Sequence, residues 1–349
     1  MKRVLIFIVC IFFSISSRSE YIVNVLSEDT GTDNGTVEVI ANGRTGPYTV
    51  SIISIVSGTD QIIEDGATSV IFSSLSAGSH VAQITNEHEC IVELPFTVST
   101  CPLFVSLYLE GAYDQATGNM TTELDTRGML PGQTPTGSLS TPTPAGQPYH
   151  MAPWNYPGDE GANWTDADYE KYNETAVDWI LMTVLEKDIA PPVTIFQAAG
   201  ILDQNGSFHY TCPPDLRSIV GGVNTTEEFH VRIEHRNHMG IMTPAPIHFL
   251  SETDDIEIDF RDNDSYKDAT SFGQIEIEQG VWGMFAGDAD QSDIPSYDIN
   301  GNDKSKWFNS NGVFDYYIQA DMNLDADVNG NDKIYWDNNN GLSSRVPKN

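Results

Sequence analysis

Two near-copies of one short segment constrain this chain more than anything else in it. The first reads Asp298-Ile299-Asn300-Gly301-Asn302-Asp303-Lys304 and runs on to Trp307. The second reads Asp327-Val328-Asn329-Gly330-Asn331-Asp332-Lys333 and runs on to Trp336. Closely spaced acids precede both: Asp288 and Asp290 in one, Asp321, Asn323 and Asp325 in the other. Carboxylates packed this tightly repel one another unless a cation joins them. Calcium takes about six to eight oxygens, and alternating residues of a tight loop turn theirs inward. The second copy fits a twelve-position loop: Asp321, Asn323 and Asp325 at one, three and five, the backbone carbonyl of Asp327 at seven, Asn329 at nine and Asp332 at twelve. Val328, at eight, should point to a core. A helix should open at Asp332, run from Lys333 to about Asn338 and stop at Gly341.

The first copy fits the same template with four extra residues. Asp288 and Asp290 take positions one and three, Asp298 seven, Asn300 nine and Asp303 twelve. Position five is ambiguous, and Asp293 is the choice made here. A calcium loop followed by one helix, in duplicate, resembles the dockerin type I repeat over about fifty-five residues. The second loop departs from the related EF-hand in carrying Ala326 at six and Asp332 at twelve. The resemblance implies bound Ca2+ as the cofactor. It would also imply a cohesin partner, but the helix-start positions hold Gly301-Asn302 and Gly330-Asn331, which do not suit one. Trp307 and Trp336 are expected to pack between the repeats or onto the neighbouring domain, and metal binding is expected to be coupled to folding of the tail.

At the other end, Met1-Lys2-Arg3, an apolar run from Val4 to Ile15 and then small residues form a secretory signal pattern over residues 1–19. The expected location is secreted or at a bacterial cell surface, with no membrane insertion after signal cleavage. Against 17 Lys+Arg stand 50 Asp+Glu, a net charge of −33. That balance argues against nucleic-acid partners, whose phosphates need basic contacts, and against anionic membranes. Export permits a disulfide. Of Cys90, Cys101 and Cys212, the expected pair is Cys90–Cys101, which flank one strand, although connectivity does not follow from sequence.

Between these ends the patterns are those of strands. Residues 20–100 offer short candidates at Tyr21–Leu26, Gly35–Ala41, Tyr48–Ile55, Ser69–Phe72, His80–Thr85 and Ile91–Val98, separated by turn signals. This spacing predicts a small β-sandwich. Asn34-Gly35-Thr36-Val37, Gly46-Pro47-Tyr48-Thr49-Val50, Leu75-Ser76-Ala77-Gly78-Ser79 and Cys90 resemble the SprB-type repeats of gliding-bacteria adhesins. That implies an immunoglobulin-like spacer or adhesive module. Glu89 stands where such repeats carry a glycine, and no second copy follows.

Residues 101–283 should form a second, more irregular β-sandwich. Its strand candidates are Phe104–Glu110, Val177–Val184, Thr194–Leu202, Ser207–Tyr210, Phe229–Glu234 and Ile241–Phe249, the last carrying Pro244 and Pro246, which belong at an edge. In Phe229–Glu234 the residues His230, Arg232 and Glu234 share one face, which reads as solvated. His235 and His238 follow and would need further ligands to hold zinc. Leu109 to Asp114, Val177-Asp178-Trp179, Glu234-His235-Arg236-Asn237-His238 and Gly280-Val281-Trp282-Gly283-Met284 resemble exported hemagglutinin-like bacterial surface proteins, a resemblance that carries no catalytic residues. No Gly-x-Ser-x-Gly or His-Glu-x-x-His motif occurs. Trp154, Tyr156, Trp164, Tyr169 and Tyr172 could stack on sugars or serve as core.

The expectation is therefore a mainly β chain: two β-sandwich domains, then a small α-helical dockerin-like calcium-binding domain over residues 284–349. Its function would be adhesion or carbohydrate contact by a calcium-bearing surface or matrix protein, meeting a surface glycan or a protein partner. The alternative is a secreted polysaccharide-processing enzyme or accessory protein that uses the tail to dock on a scaffold.

Overall fold

The computed structural model describes residues 21–27, 29, 35–41, 47–53, 61–63, 69–86, 91–98, 101–133, 143–162, 172, 174–188, 193–213, 216–220, 228–250, 255–268, 272–293 and 297–348. The signal segment 1–19, Cys90, Trp164 and Tyr169 lie outside them. The fold is mainly β, and the chain divides into two compact units.

The first unit runs to Cys101 and includes Cys212. Its strands are β1 (Tyr21–Ser27), β2 (Gly35–Ala41), β3 (Tyr48–Ile53), β4 (Gln61–Ile63), β5 (Ser69–Leu75), β6 (Gly78–Asn86) and β7 (Ile91–Val98). They form two antiparallel sheets, of order β1-β2-β5 and β4-β3-β6-β7. Strict alternation drives this. Val37 and Val39 on β2 are buried while the alternate residues Thr36 and Glu38 are only half-buried, and Val50, Ile52, Phe72, Ala82, Ile84 and Val98 complete one shared core.

The disulfide joins Cys101 to Cys212, not to Cys90 as expected. The reason is geometric. An extended strand such as β7 separates its ends by about 23 Å, whereas bridged cysteines need Cα atoms within about 7 Å. Cysteines that flank one strand cannot meet.

The second unit takes in residues 102–211 and everything from 215 onward. The segment 284–348 is thus part of one compact unit with the central strands. After β8 (Leu103–Ser106), β9 (Tyr113–Asp114), β10 (Asn119–Met120) and the short helix α1 (Glu123–Thr126) come the main strands. These are β11 (Ala176–Glu186), β12 (Thr194–Asp203), β13 (Phe208–Tyr210), then helix α2 (Leu216–Ile219), β14 (Phe229–Glu234) and β15 (Ile241–Met242). They build an antiparallel sheet of order β13-β12-β11-β14-β15. β11 is buried along all but its last residue, so both faces of the sheet are covered. β15 lies at the edge and stops ahead of Pro244 and Pro246, which cannot extend a ladder.

Further along, β16 (Ile256–Asp259) pairs in parallel with β8, and β17 (Ile275–Glu278) forms a hairpin with β18 (Val281–Gly283). β19 (Tyr297–Asp298) leads into helix α3 (Gly301–Ser310), helix α4 (Gly330–Asn339) follows, and β20 (Ser343–Ser344) returns to pair with β19. Both helices are rich in Asn and Asp, which are poor helix formers. They are held by caps. Asn300 with Asp303, and Asn329 with Asp332, each close a capping box. Gly341, at φ +93°, ends the second helix in the left-handed turn that glycine favours.

The face of β14 that read as solvated is buried. Arg232 is 2 % exposed and Glu234 3 %. Arg232 donates from Nη1 to Pro347 O (2.6 Å) and pairs from Nη2 with Glu234 Oε2 (3.0 Å), while Glu234 Oε1 accepts from Tyr297 OH (2.6 Å). The C-terminal residues cover a charged strip whose pattern alone reads as surface.

Candidate metal centre

The loop from Asp321 to Asp332 is closed by its own carboxylates. Asp321 Oδ1 accepts from Asp325 N (3.1 Å) and Oδ2 from Ala326 N (3.0 Å). Asp332 Oδ1 accepts from Met322 N (2.7 Å) and Asn323 N (3.3 Å), and its Oδ2 from Asn329 N (2.7 Å). Asp325 Oδ1 accepts from Asp327 N (2.9 Å). Leu324 and Ala326 take φ of +60° and +68°. Ala326 thus adopts at position six the left-handed conformation that a calcium loop usually assigns to glycine. Val328 is fully buried.

The longer loop from Asp288 to Asp303 repeats these bonds in register. Asp303 Oδ1 accepts from Asp290 N (2.7 Å), as Asp332 does from Asn323 N, and its Oδ2 accepts from Asn300 N (2.6 Å), as Asp332 does from Asn329 N. Asn300 Nδ2 reaches Asp298 O (3.2 Å), and Asn329 Nδ2 reaches Asp327 O (3.3 Å). Asn300 Oδ1 accepts from Asn302 N and Asn329 Oδ1 from Asn331 N, both at 2.7 Å. Positions three, seven, nine and twelve therefore correspond, and the extra residues fall between three and seven. Asp293 enters the same loop through a 2.6 Å bond from Asn300 Nδ2.

The two copies are locked crosswise. Trp307 Nε1 donates to Asn329 O and Trp336 Nε1 to Asn300 O, both at 2.6 Å. Each indole thus bonds the carbonyl that begins the other repeat's helix. Trp336 also packs with Met322, Ile299, Tyr297, Met239 and Leu185 in one core.

Whether these residues suit a cation is tested by their unsatisfied atoms. Asp288 is 0 % exposed, and neither carboxylate oxygen has a hydrogen-bond partner. Asn323 Oδ1 is likewise buried without one. These atoms occupy position one of the longer loop and position three of the shorter. Oxygens so placed cost about 1–3 kcal/mol each when unpaired, and more when charged. Burial also pushes the Asp303 and Asp332 carboxyls up to about 6, and drives Asp288 and Asp321 well above the usual carboxylate range. The donor set is all oxygen, as a hard divalent cation requires. Among the described residues, no group of three or more His, Cys, Asp and Glu side chains is assembled to hold an ion. Asp303, Asp321, Asp325 and Asp332 accept backbone N–H bonds instead, and a twelve-position loop draws further ligands from Asn and main-chain oxygens.

Sequence reasoning missed what seats the loops. The turn after β14 reaches both. Asn237 O accepts from Gly287 N and Asp288 N, each at 3.1 Å, and Asn237 Nδ2 donates to Asp321 O. One asparagine therefore touches the first position of each loop. Arg236 donates from Nη1 to Ile318 O, places Nη2 3.9 Å from Asp321 Oδ2 and stacks 4.3 Å over Tyr317. Beneath it lies Asp178, fully buried, which receives Arg236 Nε (2.7 Å), His235 Nε2 (3.1 Å), Tyr317 OH (2.6 Å) and Trp179 N (2.7 Å). Burial alone would raise this carboxyl. Arg236, His235 and Tyr317 outweigh it and hold it well below the usual range. Arg127 grips the shorter loop from the other side, at Asp327 Oδ1 (2.8 Å), Asp315 and Asp325 O. Gly111 is needed here, because a Cβ at that position would lie 1.9 Å from Met322 O.

The histidines are not zinc ligands in this arrangement. His238 Nε2 accepts from Gly111 N (3.2 Å), so its proton sits on Nδ1, facing Asn237 Oδ1 (2.7 Å) and His235 Nδ1 (3.0 Å). His235 then donates from Nε2 to Asp178. Every ring nitrogen is used, and burial lowers both pKa values, keeping the rings neutral.

Of the aromatic group, Tyr172 is core, donating to Pro131 O and accepting from Trp179 Nε1. Tyr156 is also buried, whereas Trp154 is half-buried and packs edge-on against Tyr149. No family model matches the chain, and no curated protein is significantly similar to it.

Proposed function

We propose that this chain is an exported, calcium-stabilised surface or matrix protein of a bacterium that works by adhesion or carbohydrate contact rather than by catalysis. In this reading the first unit is an immunoglobulin-like sandwich of SprB type. The Asp288–Asp303 and Asp321–Asp332 loops are dockerin-like Ca2+ sites whose job is internal: they cap the central sheet. The observation that carries it is the fit test above. Two loops with matched hydrogen bonds hold buried oxygens, on Asp288 and Asn323, that lack any partner. A cation in each loop would relieve both the desolvation of these oxygens and the mutual repulsion of the carboxylates around them. Asn237, in contact with both loops, favours a cap over a free docking plug, and so favours the surface protein over a scaffold-docked enzyme.

The test uses the whole chain. Calcium titration followed by calorimetry should give two sites, and the melting temperature should fall when the chelator EGTA is added. A chain that takes up no calcium and melts at one temperature with and without EGTA would end this reading.

A further inference from the structure

Lysine is rarely buried, yet Lys348 is, and among the described residues it is the one lysine so placed. Its Nζ lies 4.3 Å over the Tyr297 ring and donates to Gln291 Oε1 (3.2 Å). Gln291 is itself only 1 % exposed. Its Nε2 donates to two main-chain oxygens, Asp288 O (2.7 Å) and His238 O (3.3 Å). Carbonyls only accept, so the amide has one orientation: nitrogen toward the carbonyls, oxygen toward the amine.

A primary amine is thus held against a carboxamide in a site closed to water. The amide carbon lies about 1.2 Å beyond its oxygen, which puts Nζ within about 4.4 Å of that carbon. Attack on a carbonyl starts from about 3–3.5 Å, so the lysine stem has to move by about 1 Å. Only the neutral amine is a nucleophile, and burial disfavours the ammonium form. Glu234 faces the same small cavity as Lys348 and is held in place by Arg232 and Tyr297. The cavity measures about 50 Å³, enough for a molecule the size of water or ammonia.

We propose that Lys348 and Gln291 join in an intramolecular isopeptide bond. Lys348 Nζ bonds to Gln291 Cδ, the Cδ–Nε2 bond breaks, and Nε2 leaves as ammonia. One proton passes from Nζ to the departing Nε2, and Glu234 is the carboxylate placed to carry it. Nothing is oxidised or reduced, and no co-reactant is consumed. Ammonia that escapes is protonated in bulk water, which draws the exchange forward. The bond ties residues 57 apart in sequence. It closes α3, α4 and the whole Asp321–Asp332 loop into one covalent ring, and it fixes the segment whose Pro347 O covers Arg232. The tie depends neither on calcium nor on carbohydrate contact.

The experiment is mass spectrometry of the folded, purified chain, whole and after reduction and trypsin digestion. The whole chain should weigh less than its disulfide-bonded sequence by one ammonia. A lysine in amide linkage resists trypsin, so residues 346–349 should appear joined to residues 268–304 through Gln291 and Lys348. Lys348→Arg keeps a cationic donor for Gln291 but cannot form this bond. It should restore the sequence mass, release both peptides separately and melt several degrees lower, in EGTA as in calcium, because the unfolded chain regains the freedom of the ring. A wild-type chain at its sequence mass with the two peptides unlinked would overturn the proposal and leave Lys348 a hydrogen-bond donor only. So would an ammonia loss that persists in Lys348→Arg, which would mark cyclisation at an Asn-Gly step such as Asn300-Gly301 instead.

Discussion

Asp288→Asn separates a metal ligand from a structural carboxylate, because the two roles give opposite signs. Without metal, the Asp288 carboxyl is buried with both oxygens unpaired, near Asp303, Asp293 and Asp298. Replacing it with a neutral amide removes the charge from that cavity and should stabilise the calcium-free protein by about 1–3 kcal/mol. Lys348 loses a nearby countercharge but keeps Gln291 Oε1 and its place 4.3 Å over the Tyr297 ring. With metal, the same change deletes a charged ligand. A site filled at a hundredfold excess over its Kd contributes about 2.7 kcal/mol. For a cooperative unit of roughly 250 residues each kcal/mol moves the melting temperature by about 2–4 °C. The variant should therefore melt a few degrees higher than wild type in EGTA, yet lose about 5–10 °C of the calcium-induced rise. Differential scanning calorimetry at pH 7.5, with EGTA and with saturating calcium, reads both. A variant that melts lower in EGTA and keeps the full calcium shift would refute the assignment of Asp288 as a ligand.

Three further outcomes follow from the same geometry. In EGTA the protein should become more stable as pH falls from 7.5 to 5. Asp303 and Asp332 have folded values near 6, above the unfolded 3.8, so their contribution is present below 3.8 and lost as pH rises through 6. Each adds on the order of 1–3 kcal/mol to that slope, and Asp178, depressed in the fold, opposes it only below about pH 4. With calcium the slope should vanish or invert, because binding requires the ionised carboxylates; equal slopes in the two melting series would contradict this. Trp307→Phe should cost about 1 kcal/mol and weaken calcium at the Asp321–Asp332 loop, with Trp336→Phe acting on the other; two-site titrations showing each variant weakening only its own repeat would exclude the crosswise lock. Asp178→Asn leaves the Arg236 guanidinium buried without its main countercharge and should cost about 3–5 kcal/mol by denaturant unfolding. Adding Arg236→Met should recover part of that, and strict additivity would show that the pair is not coupled.

How much of this was legible in the sequence follows from the range of the interactions. β2 and β14 were readable to the residue because alternation over six or more positions is a local signal. The two copies align by the spacing of their acids, and their hydrogen bonds repeat in that register. The four-residue runs Ile256-Glu257-Ile258-Asp259 and Ile275-Glu276-Ile277-Glu278 alternate too, but over so short a span that the pattern does not separate a strand from a loop. The parallel pairing of β16 with β8 joins residues about 150 apart, and no local pattern encodes it. The buried face of β14 was read as solvated because Arg232 and Glu234 look like surface residues until something covers them. The role of Asn237 had no signal of its own. Only the concentration of polar residues at one strand end, His235 to His238, marked the turn as something other than a loop.

The structure also sets an order between the two loops. From sequence, Asp321–Asp332 is the standard loop and Asp288–Asp303 an expanded one. Four extra residues, however, raise the closure entropy by only about 0.3 kcal/mol, since the cost grows with the logarithm of length. Charge differs by more. The shorter loop is held by two guanidiniums, Arg236 near Asp321 and Arg127 on Asp327, and both Asp321 oxygens already accept backbone bonds. A fixed unit charge about 4 Å from another contributes about 4 kcal/mol at an effective dielectric of 20, so even a fraction of that repulsion on an incoming cation exceeds the loop-length penalty. Among the described residues, the longer loop has lysines beside it instead: Lys306, half-exposed and 3.9 Å from Asp290, and Lys348, held by Gln291 Oε1 and over the Tyr297 ring. Its Asp288 oxygens are uncommitted. The Asp288–Asp303 loop should therefore bind calcium more tightly and empty last as EGTA is raised. Calcium titrations of Asp288→Asn and Asp321→Asn decide it: the first should abolish the tighter of two steps and the second the weaker. The opposite assignment would mean that loop geometry, not the fixed arginines, sets the order.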